Sequence, residues 1–595
     1  VAVPHSYNAE DGHSPYYYRG KATYRCDLRI TDIKKTHYLF FEGAAQAAVV
    51  KVNGEQVAIH KGGYTPFSVN ITEALTKGVN RLEVICDNTE DVQMAPVTSD
   101  FNKNGGLHNP VWLLVMEDVY LTPEDYGMYR IRCEIPEVTK KKVVTNVRTK
   151  IVNSGNRDAN ILVRVQLLES NGQLAYQADR EIPVGAFSEY DFDHEFLLSG
   201  VHLWDGVKDP YLYTLRVELF KGKRMMDIAE TKIGYRSIEM DPERGFLLNG
   251  RPYRLRGVAM HQDADGKASA LTQADYRRDY RIVKELGANF LRLAHYPHND
   301  FAFQQCDSLG IIVQTEVPWV NVCGENAPQS YFNNIHHQMK EMVNNLYNHP
   351  SIAFWGMWNE LDTWGNNSDL QGAFDAERVA RETKRLYEYT KSLDPDRYVG
   401  FTDCSRLARD GYPYLKGDFC SQNIYYGWYW TPNDFSGLTT SLKKVRELRP
   451  DCPINLSEYG VGINPFCHVW NQADAVRDKE DDSRHYEEYG NRFHESYVRQ
   501  IKAMPWLNFT SVWVLFDFPV ANRQEGYMDS EDGVKFVRNN DRKYMNDKGR
   551  RPPEDRRGHL QGGRQRRHHR PDRPQEIQID SKPPMHPFMP APPAP

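Results

Sequence analysis

Two β-sandwiches followed by a (β/α)8 barrel are the architecture this sequence predicts, and three observations predict it. At 595 residues the chain is too long for a single hydrophobic core. Through residue 236 the apolar residues come in short runs that alternate with polar ones, the period of half-buried strands. From Tyr253 onward, short apolar runs alternate instead with amphipathic helical stretches, the rhythm of repeated βα units.

The first sandwich is read over residues 1–124. Tyr24, Cys26, Leu28 and Ile30 alternate with Arg25, Asp27 and Arg29. Val49-Val50-Lys51-Val52 runs into Asn53-Gly54, a type I′ hairpin signal, and Arg81-Leu82-Glu83-Val84-Ile85 is a further strand. The chain opens abruptly at Val1-Ala2-Val3-Pro4, so an N-terminal piece is expected to be absent from it. A second, smaller sandwich of immunoglobulin type is read over 125–236. There Val143-Val144-Thr145-Asn146-Val147 and Ile161-Leu162-Val163-Arg164-Val165 flank the turn residues Asn153-Ser154-Gly155-Asn156.

The barrel is read over 237–549. Strand candidates include Phe290-Leu291-Arg292-Leu293, Ile311-Ile312-Val313, Ile352-Ala353-Phe354-Trp355, Val399-Gly400-Phe401, Pro453-Ile454-Asn455-Leu456 and Ser511-Val512-Trp513-Val514. One intervening helix has Thr272 as N-cap with Asp275 three residues on, an apolar face of Tyr276, Tyr280 and Val283, and Gly287 closing it. A count of about eight strand candidates favours the closed barrel. From Arg550 the chain turns Arg-, Pro- and His-rich and loses apolar periodicity, so 550–595 is expected to be a disordered, solvated tail.

Composition narrows the function. A net charge of −6 gives no electrostatic case for nucleic acid. No apolar run approaches the ~20 residues of a membrane helix. Nine widely spaced cysteines, an odd number without a Cys-x-x-Cys, suggest buried thiols rather than a disulfide framework or a zinc site. No compartment can be read. The aromatic share of 12% suits sugar-binding faces and sandwich cores alike.

Two carboxylates stand out by position. Glu360 follows the apolar run ending Trp358-Asn359, and Glu458 follows Pro453-Ile454-Asn455-Leu456-Ser457. Both close buried strands, the fourth and seventh by count, and a barrel gathers its active site at that end. Either glutamate alone is more simply a helix cap or ion-pair partner. Together they are the pair that glycosidic hydrolysis needs: one acid to protonate the leaving oxygen, one carboxylate to attack the anomeric carbon at about 5–5.5 Å separation. An ionised carboxylate at that distance keeps the proton on its neighbour. His261, His295, His298, Glu316, Tyr425 and Trp513 also fall at or near strand ends, and neutral His and Tyr suit sugar hydroxyls. For each histidine a structural hydrogen bond is the plainer alternative. His295 and His298 are not read as metal ligands, because no carboxylate stands at ligand spacing beside them.

At these residues the sequence resembles glycoside hydrolase family 2, from Val1 to Gly549. The resemblance is carried by Phe246-Leu247-Leu248-Asn249-Gly250-Arg251-Pro252 with Arg256-Gly257-Val258, by Arg292-Leu293-Ala294-His295-Tyr296-Pro297 with Cys306-Asp307-Ser308-Leu309-Gly310, by Trp358-Asn359-Glu360, and by Ser457-Glu458-Tyr459-Gly460. It implies a jelly-roll sugar-binding-like domain, an immunoglobulin-like domain and a catalytic TIM barrel acting as a retaining exo-β-glycosidase. It implies Glu360 as acid then base, Glu458 as nucleophile, Asn359 on the sugar 2-hydroxyl and Tyr425 holding the nucleophile. His261, His295 and Trp513 would line the sugar subsite, and Asp100 would reach it from the first domain. The overall pattern looks most like bacterial β-galactosidases. The Asn546-Asp547-Lys548 spelling is equally that of the β-glucuronidases, where Lys548 would meet a sugar carboxylate. A crippled, merely carbohydrate-binding protein is the reading outside enzymes. The magnesium-dependent members carry a Glu-x-His after the third strand. Here the chain runs Glu316-Val317-Pro318-Trp319, so no cofactor and no metal is expected there. The resemblance also allows a homo-oligomer, though no interface is legible. After Gly549 the family pattern stops, and the expectation is a shifted reading frame or truncation that removes the eighth barrel helix.

Overall fold

The computed structural model describes residues 1–10, 17–139, 141–361, 371–404, 406, 415–463, 467–478 and 485–519, together with the short strands Met528–Asp529, Phe536–Val537 and Gln575–Gln578. Apart from Gln575–Gln578, which pairs in parallel with Lys21–Ile30, the predicted tail lies outside the described residues, as does Lys548.

The first sandwich packs the sheet Lys21–Ile30, Gly78–Asp87, Ala47–Val52, Glu55–Lys61 against the sheet Phe67–Asn70, Thr36–Phe41, Val111–Met116. Alternate residues of each strand point inward, so Tyr24, Leu39, Phe41, Val50 and Val84 form its core. The Asn53-Gly54 turn has positive φ at both residues, 53° and 88°, as a type I′ hairpin requires. The second sandwich has its own core, around Val147, Ile161, Val163, Leu215 and Val217. The strand Val143–Asn153 is buried at every second residue. Its sheet also takes in Val119–Leu121. The second sandwich thus begins before residue 124, the boundary expected from sequence, because that short strand finds its ladder partner in Ile151–Asn153 rather than in the first domain.

Eight parallel strands close the barrel: β1 Leu255–Met260, β2 Phe290–Leu293, β3 Ile312–Glu316, β4 Ile352–Asn359, β5 Tyr398–Asp403, β6 Phe419–Asn423, β7 Ile454–Tyr459 and β8 Phe509–Val512. Around them lie α1 Gln273–Glu285, α2 Asp300–Leu309, α3 Gln329–Leu346, α4 Ala376–Leu393, α5 Gly437–Leu448 and α6 Glu487–Lys502. In α1 the Thr272 hydroxyl accepts from Asp275 N while the Asp275 carboxylate accepts from Thr272 N, the reciprocal cap the sequence announced. Tyr276, Tyr280 and Val283 are buried, and Gly287 turns the chain with φ 72°.

The barrel interior is stacked in layers. Phe290, Phe354, Phe419 and Phe509 come from β2, β4, β6 and β8, are fully buried, and meet ring to ring: Phe290–Phe509 centroids lie 4.4 Å apart and Phe354–Phe419 centroids 5.6 Å apart. Four side chains from alternate strands make one barrel layer. Two residues further along the same strands stand Arg292, Gly356, Ser421 and Ser511. One long side chain against three small ones fills that level. A Cβ on Gly356 would lie 2.5 Å from Glu316 Cβ, so the glycine makes room for the charged group. The layer change from aromatic to ionic happens within two residues and sets the floor of the site.

Candidate active site

Arg292 is completely buried, and a buried guanidinium must be paired. Its Nη2 donates to Glu316 Oε1 at 2.8 Å and to Asn359 Oδ1 at 2.8 Å, its Nε to Glu316 Oε2 at 3.2 Å, and its Nη1 to Glu458 Oε1 at 2.5 Å. Burial alone would lower the Arg292 pKa, but Glu316 and Glu458 more than offset this and leave it raised. Burial likewise opposes ionisation of Glu316, yet Arg292 and His295 hold its carboxyl down at about 2. Glu316 therefore stays ionised throughout ordinary pH. It also fixes His295, whose Nδ1 lies 2.7 Å from Glu316 Oε1 and whose other nitrogen lies 3.9 Å from Glu458 Oε1.

Glu458 is almost fully buried in β7 and takes a second donor, the Tyr425 hydroxyl at 2.6 Å to Oε2. Burial and then the charges of Glu458 and Glu360 push the Tyr425 phenol far up, so it remains a donor. Glu360 stands just past β4, half-buried, in a left-handed backbone (φ 49°) that non-glycine residues seldom hold. Its N donates to Thr402 O at 2.9 Å, and its Oε1 accepts from Asn423 Nδ2 at 2.6 Å. Asn423 also reaches Asn359 Oδ1 at 3.2 Å and takes the Ser457 hydroxyl at 2.8 Å. Tyr425, Asn423 and Arg292 thus gather Glu360, Asn359 and Glu458 in one cluster.

The other predicted residues surround it. Trp513, immediately after β8, stacks on His295 with centroids 5.0 Å apart and meets His261 edge-on at 5.4 Å. His261 Nδ1 pairs with the Tyr296 hydroxyl at 3.1 Å, and its Nε2 is buried with no protein partner among the described residues. Burial, then the neighbouring His295, His298 and Arg292, keep His261 neutral by lowering its pKa well below 6.5. His298 is held at about 4, chiefly by burial, and its Nε2 bonds Ala294 O at 3.2 Å. The segment bearing Asp100 does reach the barrel mouth. The neighbouring Phe101 ring lies 5.2 Å from His261 and 6.0 Å from His295. The position of Lys548 lies outside the described residues.

Arg292 and Asn423 were not singled out from sequence as site residues. Arg292 had a visible signal, a charge at the centre of the apolar strand Phe290-Leu291-Arg292-Leu293. Asn423 had none beyond its place at a strand end. Glu316 is the carboxylate that His295 lacked in sequence; it arrives from the adjacent strand.

The fold and this mouth define a β-glycosidase, and comparison with known proteins agrees. Models of the family 2 glycosyl hydrolases match in three parts: the TIM barrel domain over residues 241–543, the central family 2 domain over 130–236 and a galactose-binding domain-like region over 5–110. The chain belongs to glycosyl hydrolase family 2. It is 30% identical over 565 residues to a β-glucuronidase of Bacteroides fragilis, covering 92% of this chain and 75% of that protein. It is 28% identical over 478 residues to a β-galactosidase of Thermoanaerobacterium thermosulfurigenes, covering 78% of this chain and 60% of that one. Among solved structures, a Bacteroides uniformis β-glucuronidase covalently bound to cyclophellitol-6-carboxylate aziridine superposes with TM-score 0.82 at 28% identity, over 88% of this chain and 62% of that one.

Proposed function

We propose that the protein is a retaining exo-β-glycosidase in which Glu458 attacks the anomeric carbon and Glu360 serves as acid and then base. The observation that carries this is the asymmetric environment of the two carboxylates. Glu458 is almost fully buried and receives a guanidinium at 2.5 Å on one oxygen and a phenol at 2.6 Å on the other, which fix the carboxylate in one orientation for attack. Glu360 is more exposed than Glu458 and accepts a neutral amide, Asn423 Nδ2, at 2.6 Å, and a solvent-accessible carboxyl suits a group that must gain and lose a proton. Asn359, fixed by Arg292 and Asn423, is placed to bond the 2-hydroxyl beside the nucleophile. His261 Nε2, Trp513 and the Asp100 segment line the remaining subsite.

For the sugar, the β-glucuronide is the reading we favour over the β-galactoside suggested by overall sequence pattern. Its support is the β-glucuronidase name of the Bacteroides fragilis relative at 92% coverage of this chain; the Asn546-x-Lys548 spelling fits both sugars, and a glucuronide is the one whose carboxylate a lysine would meet. The β-galactoside remains the second reading, supported by the Thermoanaerobacterium relative. A panel of aryl β-glycosides tests this. The expected result is preference for the glucuronide, strong loss of that preference in Lys548→Ala, and a first-formed product of β configuration by proton NMR. Preference for the galactoside with no effect of Lys548→Ala selects the second reading. An α-configured first product overturns the retaining mechanism.

A further inference from the structure

Away from the mouth, the first sandwich meets barrel helix α3 through a cluster that glycoside chemistry does not use. His60 is the last residue but one of the strand Glu55–Lys61, and His337 and Glu341 lie one turn apart on α3. His60 Nε2 and His337 Nε2 each approach Glu341 Oε1 at 2.9 Å. The three ligand atoms all lie within 4.8 Å of one another. We propose that His60, His337 and Glu341 form a transition-metal site of zinc type that staples the first sandwich to the barrel.

Two imidazole nitrogens and one carboxylate oxygen are a donor set that zinc takes, with water in the fourth position. Magnesium and calcium prefer oxygen donors and are disfavoured here. Tetrahedral ligands about 2.0–2.1 Å from zinc stand roughly 3.3 Å apart, so the 2.9 Å pairs need to open by only a few tenths of an ångström. The site is also supported from behind. The Thr65 hydroxyl donates to Glu341 Oε2 at 2.6 Å, and the His60 ring is stacked on Phe67 with centroids 3.9 Å apart. Such outer contacts orient ligands. On the open side, a groove of about 360 Å3 lined by His60, Lys61, Gln93, Ser330, Asn334 and His337 gives an ion and its water a way in, the Lys61 ammonium being paired with Asp91 at 2.7 Å. His60 and Glu341 are 6% and 13% exposed, whereas His337 is 55% exposed. That places two preset ligands inside and one able to swing in from solvent. The simpler alternative is a carboxylate hydrogen-bonded by two histidines with no metal affinity.

The staple would act on the segment that reaches the sugar site. On the same face of α3, Asn334 Nδ2 donates to Lys61 O at 2.8 Å and Gln338 Nε2 to Ala95 O at 3.0 Å. Ala95 leads directly into the stretch that carries Asp100 and Phe101 to the mouth.

The test uses the full chain, stripped with a chelator and titrated with zinc chloride alone by calorimetry and thermal shift. One equivalent should bind with a micromolar or tighter Kd and raise Tm, and magnesium chloride should do neither. His337→Ala removes an exposed ligand outside the catalytic cluster, so its aryl-glycosidase activity without zinc should match the wild type. Its zinc affinity should fall at least tenfold and its Tm gain should vanish. His568→Ala/His569→Ala, which removes the histidine pair of the tail, should bind zinc as the wild type does. Absence of stoichiometric zinc binding, undiminished binding by His337→Ala, or loss of binding only in the tail variant would each overturn the site.

Discussion

Two levels of the same barrel, two residues apart along the strands, are built on opposite principles. The lower level is Phe290, Phe354, Phe419 and Phe509, four aromatic rings with no charge. The upper level is Arg292 with Gly356, Ser421 and Ser511, and it carries Glu316, Glu458 and Asn359 on its guanidinium. The lower level gains from area removed from water and from close packing. The upper level gives up that gain at three of four positions so that one cation can be buried and paired. A buried ion pair is weak evidence of stability. Here it fixes the orientation of the group that would react. The comparison teaches that stability and chemistry are separated by height in this barrel, and substitutions should separate them too.

The largest effect should come from Glu458→Gln. If the upper level serves reactivity, kcat should fall by roughly 10,000-fold or more, while Tm changes by only a few degrees. Full activity in that variant would remove Glu458 from the nucleophile role. Phe354→Ala is the converse experiment. It opens a cavity in the lower level and should cost about 3–5 kcal/mol in denaturant unfolding, with kcat per folded molecule largely kept. If it instead abolished kcat in the folded fraction, the two levels would not be separable.

The sequence made the barrel legible, because apolar runs at regular spacing report burial directly, but of the lower level only Phe290 and Phe354 fall in runs it marked, Phe419 and Phe509 in none. Glu360 and Glu458 were legible for the same reason: each interrupts or ends a run whose burial is otherwise complete. The hairpin at Asn53-Gly54 and the cap at Thr272 were legible because their chemistry is local. What sequence did not yield is convergence. Arg292 touches Glu316, Asn359 and Glu458 from three other strands, and nothing in Phe290-Leu291-Arg292-Leu293 says which partners it will meet. Asn423 is similar, bridging Glu360 and Asn359 from β6. A boundary near residue 124 is hard to read for a related reason, since a three-residue strand such as Val119–Leu121 belongs to whichever sheet offers it a partner.

Tyr425→Phe sharpens the comparison at smaller scale. It removes one charge-assisted hydrogen bond to Glu458 and keeps the ring. The expected loss is about 10- to 100-fold in kcat, with Tm little changed. A loss confined to KM would mean that the phenol binds the sugar rather than holding the carboxylate.

The smallest effect on kcat lies outside both levels. His349 is buried between Asp307, 2.6 Å from its Nδ1, and Asp300, 3.0 Å from its Nε2. Burial opposes its protonation, but the two carboxylates raise its pKa to about 10. A folded-state pKa above the ordinary 6.5 means that its stabilising contribution is complete below pH 6.5 and is lost as pH rises toward 10. The Tm advantage of the wild type over His349→Gln should therefore be greatest at or below pH 6.5 and shrink steadily up to pH 10, read by thermal unfolding of both proteins across that window. An advantage that stays constant would mean that His349 is neutral there and acts as an uncharged hydrogen-bond bridge. Because His349 does not touch the Arg292 cluster, the pH profile of kcat should be the same in both proteins. A shifted kcat profile would show that charge outside the barrel does reach the upper level, and the separation by height would then need revision.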